Sequence, residues 1–215
     1  MARGKIEKRG QRRRTVKPVI LIVTEGALTE PQYFSHYRNR QTNIDIRVIG
    51  SRTSGSKTDY MNLVQKAAEY KNKNQMSESN GDAVWVVADG DVNYDIPDPV
   101  GTKDLMLSKA RKLADAKGIH LAISNPCFEF WYLLHFQYTT RYFRDYTAVE
   151  NALTAYLPDY EKSDDVYSQL SERTATAIQN ARRVAEYHLR NGNKSPFGIA
   201  VNPFTDVCHL VKSLL

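Results

Sequence analysis

Four short runs of aliphatic and β-branched residues, 19–23 (VILIV), 44–49 (IDIRVI), 83–88 (AVWVVA) and 119–124 (IHLAIS), punctuate the first half of the chain, and a helix-like stretch fills each interval. Runs this short, bounded by Pro, Gly and polar clusters, are strands rather than helices. Strand and helix in alternation with brief connections give a mostly parallel sheet with helices on both faces, and the ligand chemistry of such sheets gathers at the carboxyl ends of the strands. With 215 residues the chain suits one α/β unit with a modest appendage. The reading divides it into an arm at 1–17, an α/β core at 18–136 and a mainly helical portion at 137–215 packed on that core.

The helical intervals have recognisable punctuation. Thr29 reads as an N-cap, with Pro31 in the first turn, Gln32 reaching back as in a capping box, and Tyr33, Phe34 and Tyr37 forming an apolar face. Helices are expected over about 59–73 and over 103–117, the latter stopped by Gly118. Asn125 and Pro126 read as the cap and first residue of the apolar helix containing FEFWYLL. Residues 169–190 read as one amphipathic helix with Leu170, Ala177, Ile178, Ala181, Val184, Ala185 and Leu189 on its buried face. A last apolar strand is expected at 199–201, with Asn202 and Pro203 capping a final short helix.

The charge is uneven. A net +6 arises because residues 1–17 carry eight Lys or Arg against only Glu7, while the rest holds 22 basic and 23 acidic residues. Arg12, Arg13, Arg14 and Lys17 lie in this arm, which lacks apolar periodicity and reads as a flexible polyanion-binding segment or a solvated tail. No apolar run nears the roughly 18 residues of a membrane span, and nothing resembles a secretory signal, so the expectation is a cytoplasmic protein without a membrane partner. Self-association is compatible with the sequence. Cys127 and Cys208 are far apart and lack metal-site spacing, so they read as small buried hydrophobes.

The third strand runs into two aspartates separated by a glycine, VWVVADGD at 84–91. In extended backbone Asp89 and Asp91 would project to the same side, where like charges are costly without a cation. Carboxylate oxygens are the ligands Mg²⁺ prefers, with water and phosphate filling its shell. A turn cap at Asp89 and a solvated Asp91 are the bland alternative. Glu25 also directly follows a strand, and neighbouring parallel strands about 4.8 Å apart would bring it towards both aspartates. Glu30 and Asp95 are nearby in sequence, either joining a metal shell or serving as a first-turn helix acid and a loop residue. Glu129, the single charge in an apolar helix beyond the fourth strand, reads as a helix N-terminal acid or as a further carboxylate of the same site.

These residues together resemble a known arrangement. A strand ending in Glu-Gly (IVTEG) and a central strand ending in Asp-x-Asp (VVADGD) look like the toprim domain of topoisomerases, primases and related nucleases. The wider pattern of VTEGALTEPQYF, VVADGD, SNPCFEFWYLLHF and a late NPFTDV is similar to the RloB-like family of bacterial proteins found beside restriction or abortive-infection genes. That resemblance implies a toprim-like fold and Mg²⁺ or Mn²⁺ held by Asp89 and Asp91. It implies Glu25 as ligand or general acid/base, and an ATPase partner encoded nearby. The expected activity is metal-dependent nuclease action on RNA, tRNA included, or DNA, in anti-phage defence. The alternative is a non-catalytic toprim-fold sensor or adaptor that binds nucleic acid.

Three further features are weaker. Residues 50–58, GSRTSGSKT, miss a P-loop by one inserted serine, which would carry the ammonium away from a phosphate cradle, so Arg52 and Lys57 read as phosphate contacts or as a solvated loop. Tyr138, Arg141, Tyr142, Phe143, Arg144 and Tyr146 interleave aromatics with arginines, a mixture that stacks on bases or covers a core with Arg stems. Lys194, in the last loop, could neutralise a leaving group.

Overall fold

A computed structural model of the chain describes residues 17–38, 44–50 and 60–215. Strands β1 (Val19–Thr24), β2 (Asp45–Gly50), β3 (Ala83–Asp89), β4 (His120–Asn125) and β5 (Phe204–Thr205) form one sheet in the order β2-β1-β3-β4-β5. The first four are parallel, and β5 closes the edge antiparallel to β4. Chain direction across the sheet therefore reverses at β1 and β3: from β1 the chain goes out to β2, then crosses back to β3 on the other side. That gap is where a parallel sheet opens a crevice at its carboxyl edge.

Alternation along the strands divides the core in two. Ile20, Ile22, Trp85, Val87 and Ala122 face an aromatic-rich layer built from α1 (Thr29–Ser35), α4 (Glu129–Leu134), α5 (Tyr146–Leu153), α7 (Thr174–Arg190) and α8 (Val207–Leu214). Leu21, Val23, Val84, Val86, Ala88 and Ile123 face an aliphatic layer under α2 (Tyr60–Lys73) and α3 (Pro99–Lys117). Cys127 and Cys208 are buried and unbridged, as their spacing implies.

Several boundaries differ from the sequence reading. α3 starts at Pro99, four residues before Lys103, because Asp98 accepts from the Gly101 amide (3.2 Å) and Pro fits the first helical position. Thr29 lies inside α1 and donates to the Lys162 carbonyl (2.8 Å) instead of capping, and the Gln32 Oε1 is enclosed without a partner. Asn125 ends β4 and caps no helix: its amide donates to the carbonyls of Ile199 (2.9 Å) and Val201 (2.8 Å). Those carbonyls are thereby committed, and residues 199–201 form turns; the strand is Phe204–Thr205. The Asn125–Pro126 and Asn202–Pro203 peptides are both cis.

The amphipathic stretch at 169–190 is also interrupted. A short helix α6 (Tyr167–Leu170) passes through a 3₁₀ turn (Ser171–Arg173) into α7, with the Thr174 hydroxyl bonding back to the Ser171 carbonyl. Leu189 is exposed, and His188 is buried in its stead with Nε2 at 2.8 Å from the Pro203 carbonyl oxygen. Among the described residues, no helix is long and apolar enough to cross a membrane.

Candidate functional site

The crevice between β1 and β3 gathers acids. Immediately after β1 the Glu25 amide donates to the Val87 carbonyl (2.9 Å), extending the β1–β3 ladder by one bond. The Glu25 carboxylate reaches across and its Oε2 accepts from the Asp89 amide (3.1 Å). One residue on, the Gly90 amide donates to the Ser124 carbonyl (2.6 Å), which fixes the exit of β3 against β4. β3 ends at Asp89. Asp91 is exposed, whereas the Asp89 Oδ1 is enclosed and has no hydrogen-bond partner.

Glu30 lies in the first turn of α1, as read from sequence, and is buried there. Its Oε1 accepts from the Gly26 amide (3.1 Å). A Cβ on residue 26 would come within 2.1 Å of the Glu30 Oε2, so the glycine of the TEG turn makes room for this carboxylate. Glu129, first residue of α4, is 2% exposed; its Oε1 accepts from the Tyr160 hydroxyl (3.3 Å), and its Oε2 is enclosed and unpartnered. Asp95 lies exposed in the loop after β3, where its amide bonds to the Asn93 side chain.

The electrostatics match this geometry. Burial, aided by the charges of Glu129 and Glu25 and opposed by backbone hydrogen bonds, pushes the Glu30 carboxyl up to about 7. Burial likewise holds Asp89 well above the ordinary carboxylate range, reinforced by Glu30, Glu129, Glu25 and Asp91. Tyr60, whose hydroxyl donates to the Asp89 carbonyl (2.7 Å), is raised by burial and then by Glu25, Asp91 and Asp89. Burial raises the Cys127 thiol too, with Glu129 and Asp89 adding to it. Five acids thus share one field at the carboxyl edge.

Cations stand near this group on aromatic faces. Lys103 Nζ lies 4.6 Å from the centre of the Tyr60 ring, and Lys162 Nζ lies 3.9 Å from that of Tyr146. Tyr146 is itself raised by burial, by its bond to Glu150 and by the charge of Glu129. Among the described residues, neither lysine forms an ion pair with the acids of the site. A cleft of about 470 Å³ opens onto Glu25 and Asp91, with Val92, Ile96, Pro99 and Met106 as an apolar wall and Lys103 at its side.

The sequence of the chain from 20 to 214 matches the family model described as RloB-like protein. The chain belongs to the RloB-like family. No curated protein and no solved structure matches it. The structure of this RloB-like chain brings together Glu25, Glu30, Asp89, Asp91 and Glu129, all singled out from sequence. Lys194 is exposed in the loop after α7, and among the described residues no ion pair joins it to the acids. Lys17 is exposed at the start of the described chain, while Arg12, Arg13, Arg14, Arg52 and Lys57 lie outside the described residues. Sequence reasoning missed Tyr60, Lys103, Tyr160 and Lys162, and it singled out Tyr146 only as one of a set of interleaved aromatics and arginines. Only Lys103 had a local signal, one turn into a helix that begins at Pro99 beside the acids.

The donor set suits a hard divalent cation. It consists of carboxylate oxygens, two of which, Asp89 Oδ1 and Glu129 Oε2, are enclosed without a hydrogen. Among the described residues, no three His, Cys, Asp or Glu side chains converge closely enough to hold a metal as they stand. Mg²⁺ retains several waters and takes one or two carboxylates directly, so such a site does not require three converging side chains.

Proposed function

We propose that this RloB-like chain is a Mg²⁺- or Mn²⁺-dependent phosphodiesterase of toprim type acting on nucleic acid, in the cytoplasm, as part of anti-phage defence with an ATPase partner. The observation that carries the chemistry is the enclosed, unpartnered oxygen of Asp89 in the field of four other acids at the sheet's switch point. A buried carboxylate in that position is either protonated or neutralised by a cation. Asp89 and Asp91 would hold the ion, with Glu129 and Glu30 able to contribute to a second. When bound, the ion supplies Lewis-acid polarisation of a phosphate oxygen and lowers the pKa of water.

The chain's own groups do the rest. Glu25, held by the Asp89 amide, orients or deprotonates the nucleophile. Glu30 titrates near neutrality and holds a proton in reserve beside it. Tyr60 fixes the end of β3 through the Asp89 carbonyl. The arm at 1–17 supplies affinity for a polyanion that the nearly neutral body lacks.

The test is direct. Purified protein with Mg²⁺ or Mn²⁺, offered mixed single- and double-stranded RNA and DNA with and without the ATPase, is expected to cut, and Asp89→Ala to abolish cutting while circular dichroism stays native. Wild type and variant equally inert under every condition would overturn the nuclease reading. A second reading is a non-catalytic nucleic-acid sensor or adaptor, in which the acids, no three of which converge as they stand among the described residues, hold no ion. It predicts that Mn²⁺ leaves the melting temperature of wild type unchanged. Deleting 1–17 is expected to flatten the salt dependence of nucleic-acid binding, and an unchanged slope would remove the role given to the arm.

A further inference from the structure

We propose that the cleft beside Glu25 and Asp91 seats one unpaired nucleobase of a single-stranded nucleic acid, with Lys103 holding the phosphate next to it. This rests on the phosphodiester reading and names its substrate class. The cleft's volume of about 470 Å³ is that of a site for a small flat ligand. Its two sides differ in chemistry. Val92, Ile96, Pro99 and Met106 offer aliphatic, proline and thioether contacts for an aromatic ring, while Glu25 and Asp91 form the opposite, catalytic side. Ile96 and Met106 remain 39% and 38% exposed, so large apolar side chains line an open mouth instead of the core.

The anion falls to Lys103. The first-turn amides of α3 are already taken, Gly101 N by the Asp98 side chain (3.2 Å) and Thr102 N by the Asp98 carbonyl (3.0 Å), so the helix end has little left to offer a phosphate. Lys103 instead rests on the Tyr60 ring without an ion pair among the described residues, and the Tyr60 hydroxyl is fixed on β3. Its charge is therefore held at the cleft and available. Asp95 and Asp98, both exposed on the loop crest, would repel a phosphate backbone there and direct it to the Lys103 side.

A duplex cannot use this cleft without giving up a stacked and paired base, which costs a few kcal/mol. A single strand has that base free. The outer side of the same loop offers its neighbour a platform. The Tyr94 and Tyr142 hydroxyls meet at 2.7 Å, the Arg144 guanidinium lies 4.8 Å over the Tyr94 ring, and Tyr142 is 58% exposed. Stacking on aromatic and guanidinium planes tolerates any base.

Fluorescence anisotropy in Ca²⁺ would measure binding of a labelled single-stranded oligonucleotide, RNA or DNA, its blunt duplex, and a series carrying one abasic position. The expectation is about tenfold tighter binding of the single strand and a loss of about tenfold at one abasic position, the scale of one stacked base. Ile96→Ser, at a half-exposed position that does not support the core, should reproduce much of that loss on the intact strand and add nothing to the abasic one. Equal binding of duplex and single strand, no abasic effect anywhere, or equally tight binding of a free mononucleotide would overturn the proposal. Cutting in Mg²⁺ separates it from the nuclease reading. Cleavage indifferent to base and pairing keeps the nuclease and removes the base seat. Base-dependent binding without any cleavage keeps the seat and removes the nuclease.

Discussion

At the amino end of the sheet Asp82 has both carboxylate oxygens occupied, Oδ1 by the Val19 amide (2.8 Å) and Oδ2 by the Ser77 amide (2.9 Å). Close by, Lys71 Nζ closes the end of α3 on the carbonyls of Lys117 (2.8 Å) and Gly118 (2.9 Å). At the carboxyl end, Asp89 and Glu129 each keep one enclosed oxygen with no donor, in the company of further acids. Asp206 sharpens the contrast. It is buried too, yet Arg111 stands 3.0 Å from its Oδ2 and counteracts the rise that burial causes. The same chain satisfies its acids fully where they only hold strands together. Among the described residues, the enclosed carboxylate oxygens without a donor stand at the carboxyl edge of the sheet, where the proposed ion would supply the missing partner.

The largest test of that contrast is Asp89→Asn. It removes a buried like charge, so Mg²⁺-dependent cutting should fall about a thousandfold while the protein becomes more stable by about 1 kcal/mol, read by product formation and by thermal melting. Loss of both activity and stability would place Asp89 with the structural acids. Asp82→Ala should do the opposite, costing about 2 kcal/mol because two amides lose their acceptor, with cutting unchanged below the melting transition. Arg111→Met should cost about 1–2 kcal/mol by stranding Asp206; the cost is moderated because Arg111 is partly exposed, and urea denaturation would measure it.

The smallest effect is in the pH profile. The folded state raises Glu30 from 4.5 to about 7, so it binds that proton more tightly than the unfolded chain. The corresponding stability is complete below 4.5 and is lost as pH climbs towards 7. His135 acts in the other direction: burial lowers it from 6.5 to about 4, so folding gains stability as pH rises through that window. Between about pH 6.5 and 7.5 only the acid contribution still changes, and stability should fall. Glu30→Gln should flatten this fall, and added Mg²⁺ should raise the melting temperature more at pH 7.5 than at pH 5.5.

How legible was this in sequence? Strands β1 to β4 were, because each is a short apolar or alternating run bounded by turn residues, and Glu25, Asp89 and Asp91 were, because they stand at the ends of such runs. β5 was not: two residues carry no period, and the strand exists because β4 offers Ser124 and Asn125 as partners. The place of Glu30 in a first turn was legible, but its burial was not, because it depends on α1 turning that acid inward under Gly26. Tyr160 bonds to Glu129 across 31 residues and Tyr60 to Asp89 across 29, separations over which a single sequence carries no signal.

The pairing of Ser124 with Thr205, including a hydroxyl contact of 2.7 Å, has a temporal consequence. β4 gains its edge partner, and Asn125 its two carbonyls, only from residues 199–205. Domains form as their segments emerge during synthesis. A nascent chain, or one clipped before Gly198, therefore carries every acid of the site while β4 is still an open sheet edge. Amide exchange in β4 should rise sharply in such a truncation. The edge that borders the acid cluster is thus closed by the strand of the described chain that lies farthest from it in sequence.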